Sequence, residues 1–432
     1  MSPVGIAQIW HGCQMREDLG EIVALGRPHA RSRRLSVLLF FAYASLVAVF
    51  QGVANILLPA TVERIAPASK LSTLAVLSTV SAIATVCALL AGGAVSDRTF
   101  SRWGRRTPSL AVSCVTSIVL MLAVGTAVST VSLMVLMPLL WFSCNYYQGV
   151  LLAILPDRIP EQEQGFASSA IGVGVPVGLF VGVNLAAWAP NPMLGYALLT
   201  IPLAVSTAAL FFVEPERASM YHDHREATSD AGVITPYFSA FADRDFSLAF
   251  AARFLLFLAY YTISGYLFYI VQDYVGVSHL PSRNAGMAVS SVMSLLTVGW
   301  LVITPLTALI SDRAGDTAKI VAWTSVAIGA VMLVPAFSNS WTAMLAFGAG
   351  LGLTFGVYFA IDIKLSAMVL ASKQDAGRDM GFLVLAGSGP TVLAPAIAAG
   401  IITQASFPAL FIFGGLTALA GGVAAYFIQT RR

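Results

Sequence analysis

Twelve stretches of roughly twenty mainly apolar residues follow one another along the chain, and no other feature restricts its fold so severely. Their approximate bounds are 36–58, 71–95, 109–129, 131–154, 166–189, 194–213, 248–271, 285–309, 319–337, 341–366, 380–404 and 407–428. A helix of about 20 such residues crosses the hydrocarbon layer of a bilayer, where lipid offers no partner to a free backbone N–H or C=O. The alternation of an outer-membrane strand is absent, so each span is expected to be a helix. A water-soluble globule of 432 residues has no interior able to hide a composition that is 57% hydrophobic and only 10% charged. The connections near 130, 191 and 405 are the shortest, and the breaks there are the least obvious.

The basic residues choose a side. Of the 24 Lys and Arg residues, Arg64, Lys70 and Arg283 fall on one side, Arg253 and Lys364 fall inside spans, and the remaining 19 share the side of the termini. This bias predicts a multi-pass protein of the cytoplasmic membrane with both termini in the cytoplasm. The net charge of +3 follows from that topology, so no nucleic-acid partner is expected. Cys87, Cys114 and Cys144 sit in apolar stretches and Cys13 in the tail, with no zinc-type spacing. Residues 1–35 have no contiguous apolar core before Leu35 and do not read as a cleavable signal peptide. His222 and His224 lie in a flexible, mixed-charge segment and read as solvated rather than as metal ligands.

Segment 214–247 is the one sizeable hydrophilic break between spans, and it divides the helices six and six. Short matches support the division. "SDR" at Ser96 to Arg98 recurs at Ser311 to Arg313, an offset of 215 residues, and "EQEQGF" and "AGRDMGF" end at Phe166 and Phe382, an offset of 216. The expected organisation is a cytoplasmic tail (1–35), a six-helix bundle (36–213), a cytoplasmic linker (214–247) and a second six-helix bundle with a short tail (248–432), related as parallel repeats.

"GAVSDRTFSRWGRR", Gly93 to Arg106, resembles the loop between the second and third helices of the major facilitator superfamily. Its longer spacing is similar to that of the sugar-transporting branches, the glycoside-pentoside-hexuronide and sucrose types, and of related bacterial permeases. "ALISDRAG", Ala308 to Gly315, resembles the second, degenerate copy. "LPDRIPEQEQGFAS" and "GVYFAIDIKLSAMVLASKQDAGRDMGF" resemble the loops after the fourth and tenth helices, with Gln164 where many members have arginine. The resemblance implies an all-α membrane fold of about twelve helices in two pseudo-symmetric bundles that rock about a central site. It also implies a conformational latch of Gly93, Asp97, Arg98, Arg105, Arg106, Asp312 and Arg313, with charge contacts to the opposite bundle. Independently, Asp97 stands at a helix C-terminal end, where the macrodipole disfavours an anion, so it needs a cation or another helix's N-terminus. The alternative role for these arginines is anchorage to anionic headgroups.

Polar groups inside a membrane are costly and therefore candidates for function. Gln51 and Asn55 lie one turn apart on the first helix, and Trp141, Asn145 and Gln148 share a face of the fourth, with Tyr146 and Tyr147 nearby. Tyr261, Gly265, Tyr269 and Gln272 form a stripe on the seventh, Thr354, Tyr358 and Asp362 another on the tenth, and Asn184 adds an amide on the fifth. The resemblance places helices one, four, seven and ten around the cavity. Gln51, Asn55, Trp141, Asn145, Gln148, Tyr261, Tyr269 and Tyr358 are thus candidate substrate-cavity residues; interfacial or packing roles are the alternative. Asp362 is the candidate proton-coupling group, able to load and release a proton as the cavity opens to either side, with Arg253 as counter-charge. Lys364 points to the opposite face.

Gly174, Gly178 and Gly182 on the fifth helix and Gly348, Gly352 and Gly356 on the tenth read as ridges for close helix approach. "GVGVPVG" at 172–178 lies in a span with no preceding strand, so it is no dinucleotide loop. It matches the glycine-proline motif of drug/proton antiporters only loosely, because Val175 separates Gly174 from Pro176. The expected function is secondary transport of a sugar-like or other small polar solute with proton coupling, because aromatic rings stack on a solute's apolar face while amides bond its hydroxyls. An exporter of drug-like compounds or secondary metabolites working by proton antiport is the alternative. No catalytic residues, metal or cofactor are expected, since nucleotide loops, nucleophile elbows and metal-ligand helices are missing from the sequence. The expected partners are the solute, protons and the lipid bilayer, and the expected state is a monomer.

Overall fold

The computed structural model describes residues 30–97, 101, 103–216, 239–281, 283–311, 316–369 and 376–429. Among these residues, twelve helices are long and apolar enough to cross a membrane. We label them in order. Helix α1 runs Ala30–Gly52 and continues through a π-helical turn, Val53–Leu57, into Leu58–Ile65. Next come α2 (Lys70–Asp97), α3 (Thr107–Gly125), α4 (Thr130–Arg158), α5 (Gln164–Trp188) and α6 (Pro192–Val213). Helix α7 runs Arg244–Ser264 and, after a break, through Leu267–Tyr269 and the π-helical Ile270–Gly276. Then follow α8 (Ala285–Ser311), α9 (Thr317–Phe337), α10 (Trp341–Met368), α11 (Ala376–Ser388 and Pro390–Gln404) and α12 (Phe407–Tyr426).

The three short connections are real breaks because each supplies a cap. The side chains of Ser129, Asn191 and Ser406 accept the backbone N–H groups of Ser132, Leu194 and Ala409, satisfying donors that a helix start leaves free. Asp243 caps α7 in the same way, with Oδ1 accepting from Asp245 N at 2.8 Å. That cap starts the helix at Arg244, inside the segment expected as linker, and α1 likewise begins at Ala30, inside the expected tail. An even number of spans brings the start of α1 and the end of α12 to one face, here the termini face; the opposite one is the far face.

Helix pairing follows a six-helix repeat. In the first bundle α1 packs on α5 and α6, α2 on α4, and α3 on α4 and α6; in the second α7 packs on α11 and α12, α8 on α10, and α9 on α10 and α12. The bundles meet through α5 on α8 and α2 on α11, two contacts that the same repeat exchanges. Even the π-helical turns recur, each in the first helix of its bundle. In α1, Pro59 lacks an N–H and crowds the turn before it, which accounts for the irregular hydrogen bonding at Val53–Leu57.

The glycine ridges are packing surfaces. A Cβ at Gly178 or Gly182 would collide with the carbonyls of Ala44 and Ala48 on α1, and one at Gly348 would stand 2.7 Å from Val292 O on α8. Close backbone approach of this kind holds helices together where lipid removes the hydrophobic drive.

Candidate functional site

Arg253, Phe257 and Tyr261 recur every four residues on α7, and Tyr358, Asp362 and Ser366 do the same on α10, so each set lines one helical face. The faces meet. Arg253 Nη1 lies 3.0 Å from Asp362 Oδ2 and donates to Ser366 Oγ at 3.2 Å. Tyr358 stands one turn before Asp362 on α10, close enough for its hydroxyl to interact with the carboxylate. Asp362 is only 4% exposed, and a charge so enclosed within a span persists only with a partner. Aromatic rings surround the pair: Phe257 lies under the guanidinium at 5.9 Å and stacks on Tyr261 at 6.0 Å, while Phe359 stacks on Trp300 at 4.6 Å. The structure therefore joins the sequence-predicted Arg253, Tyr358 and Asp362, with Tyr261 beside them.

In the first bundle the amides are tied into small networks. Asn55 Nδ2 donates to Gln51 Oε1 at 2.8 Å, and Asn145 Nδ2 donates to Trp141 O at 2.8 Å and Thr85 Oγ1 at 3.0 Å. Gln148 Nε2 donates to the Tyr43 hydroxyl at 3.2 Å, and Trp141 meets Phe50 edge-on at 5.8 Å. Gln51, Trp141 and Gln148 remain half-buried, whereas Asn55 and Asn145 are buried. Asn184 donates across the bundle interface to Ser294 Oγ at 2.9 Å.

Tyr269 is placed elsewhere. Fully buried, it donates from its hydroxyl to Pro59 O of α1 at 3.1 Å, in a seam that closes the bundles together at the far face. Lys70 is the centre of that seam: its ammonium lies 2.9 Å from Glu63, 2.8 Å from Asp273 of the other bundle, and 5.1 Å from the Tyr269 ring centroid. The Tyr266 hydroxyl sits 3.0 Å from both Leu71 O and Pro395 O, and Thr79 donates to Val392 O at 3.3 Å. Sequence reasoning missed Glu63, Lys70, Tyr266 and Asp273. The available signal was Lys70 itself, a rare cation on the basic-poor side.

At the termini face, Arg105 and Arg106 reach Asp157 at 2.7 and 2.8 Å, a contact inside the first bundle. Glu216 Oε2 accepts from Arg106 N at 2.9 Å and from Thr107 N at 3.0 Å, capping α3 from beyond the end of α6. Gly104, with φ of 97°, leaves the space that Glu216 occupies. Of the other expected latch residues, Gly93 and Asp97 fall within α2, but their side-chain surroundings lie outside the described set. Arg98, Asp312 and Arg313 lie outside the described residues, as does the His222–His224 pair.

The Lys70–Asp273 ion pair crosses the bundles in the far half of the molecule, and the Asn184–Ser294 hydrogen bond crosses them in the α5–α8 contact. Two six-helix bundles, closed on each other at one end and carrying a charged pair within the membrane, define a multi-pass membrane transporter. The chain belongs to the Major Facilitator Superfamily, whose family model matches residues 35–361. No curated protein matches the chain.

Proposed function

We propose that the protein is a secondary active transporter that moves a small polar, sugar-like solute across the cytoplasmic membrane by alternating access, with proton coupling through Asp362 and Arg253. The observation that carries this reading is the Arg253–Asp362 pair at 3.0 Å, enclosed between α7 and α10 and walled by aromatic rings. A charge pair inside a span is costly, which makes it a candidate for a role in the cycle. Half-buried Gln51, Trp141 and Gln148 supply hydrogen bonds and a stacking ring for hydroxyl-bearing solutes from the other bundle. The excess of basic residues makes the termini face cytoplasmic, so the seam of Lys70, Tyr266 and Tyr269 would close the external side in this conformation. Opening that seam would be the outward half of the cycle, and the solute would pass without chemical change.

The test uses proteoliposomes with an internal pH dye and an imposed proton gradient. Polar solutes should trigger proton flux, lipophilic cations should not, and Asp362→Asn should abolish the gradient-driven component. Full gradient-driven uptake by Asp362→Asn would remove the coupling role, and flux triggered by lipophilic cations alone would favour the exporter.

A further inference from the structure

Arg253 uses only part of its guanidinium. Both protein acceptors, Asp362 Oδ2 and Ser366 Oγ, fall on Nη1. Nε is buried without an acceptor, and Nη2 bonds no described residue. An arginine that serves only to tie two helices through a carboxylate usually does so with two parallel bonds. Here the edge formed by Nε–H and Nη2–H, the one geometrically matched to the two oxygens of a carboxylate, is left over. Gly387 of α11 flanks it: a Cβ there would stand 3.4 Å from Nε and 3.6 Å from the Phe257 ring. Helix α11 changes segment at Gly389, two residues on, so the half that covers this edge ends at a joint.

We infer that this edge of Arg253 is the seat of a substrate carboxylate, making the transported solute a small organic acid whose body lies against Phe257 and Tyr261. The inference rests on the proposed role of Asp362 as the proton site and names the substrate class of that same site. The groups around Asp362 are Arg253 from α7, with Tyr261 beside that arginine, and Tyr358 from its own helix; α11 meets the pair at Gly387, and exposed Lys364 is two residues away on α10. Charge explains the coupling. The empty carrier holds Arg253⁺ and Asp362⁻ and is neutral at the site. The fully loaded carrier holds protonated Asp362 and Arg253⁺ with the bound carboxylate, and is neutral again. Carriers with only the proton or only the anion carry a net charge in low dielectric, which disfavours their crossing.

The experiment measures binding to the purified full-length protein, by calorimetry and thermal shift, at about pH 5.5 and about pH 8. The probes are three acids and their neutral counterparts: glucuronate and glucose, 4-hydroxybenzoate and 4-hydroxybenzyl alcohol, lactate and propane-1,2-diol. At least one acid should bind, more tightly at the lower pH by up to about tenfold per pH unit, and more tightly than its alcohol. Asp362→Asn should bind the acid without that pH dependence. The charge-neutral double variant Arg253→Gln with Asp362→Asn, which leaves no unpaired buried ion, should lose acid binding. The inference is overturned if no acid binds, if the alcohols bind as well as the acids, or if the double variant retains the acid. Acid binding that stays pH-dependent in Asp362→Asn but is lost in the double variant removes Asp362 as the proton site and leaves the carboxylate seat standing.

Discussion

The two ends of the molecule use the same chemistry for opposite purposes. At the far face Lys70 shares its charge between Glu63 of its own bundle and Asp273 of the other, so the ion pairs span the surface along which the bundles must part. At the termini face Arg105 and Arg106 both reach Asp157, and Glu216 caps α3, contacts made inside the first bundle. The first arrangement ties bundle to bundle; the second joins α3, α4 and the end of α6 within the first bundle. An ion pair is informative about a transport cycle only when its partners belong to parts that move relative to each other.

Removing Lys70 gives the largest expected effect on this contrast. Lys70→Ala leaves two carboxylates facing each other with no cation, and loss of one member of a half-buried charge cluster costs about 2–3 kcal/mol. The closed far face should lose that stabilisation relative to the open one, a shift of roughly 30–150-fold in their ratio. Spin-label distances between the far ends of α1 and α7 should lengthen, with little change in labels paired inside either bundle. Unchanged distances would mean that the tyrosines and helix packing hold the seam without the charges.

Asp157→Asn is the matching test at the other end. It removes the negative charge shared by Arg105 and Arg106, one half-buried and one buried, and should lower the stability of the first bundle by about 1–2 kcal/mol. The thermal melting temperature of the purified protein should fall while the far-face label distances stay as in the wild type. A change in those distances would show that the termini-face network also acts between bundles.

Which of these features could be read in the sequence depended on how far apart in the chain the partners lie. The spans and the glycine ridges are local patterns, written within one or two turns. Arg253 and Asp362 lie far apart in sequence, yet each was a charge in a span, and two such charges of opposite sign have few other partners to choose. The seam had a weaker signal, the rare cation Lys70 on the basic-poor side, because Glu63, Lys70 and Asp273 sit at helix ends where charges are ordinary. Tyr269 shows a second limit. Its four-residue spacing from Gly265 and Tyr261 implied one continuous face, but α7 breaks at Gly265 and Tyr266 and resumes as a π-helical segment from Ile270. Helical spacing carries a face only while the helix keeps its period, so Tyr269 parts from Tyr261 and lies in the seam.

The α5–α8 contact provides the smallest and sharpest test, because it crosses the bundles without any charge. Asn184 Nδ2 bonds Phe180 O at 2.8 Å in its own helix and Ser294 Oγ at 2.9 Å across the interface, so removing Ser294 leaves the amide with one partner still in place. Hydrogen bonds between membrane helices average about 0.6 kcal/mol in double-mutant cycles. The cycle of Asn184→Ala and Ser294→Ala, read in the ratio of closed to open far-face distances, should return a coupling of about that size, a two- to threefold change. A coupling near zero would mean that the bond survives opening, and α5 and α8 would then be the pivot about which the bundles rock. A coupling as large as the loss of Lys70 would place the gate along the whole interface and end the distinction between seam and contact.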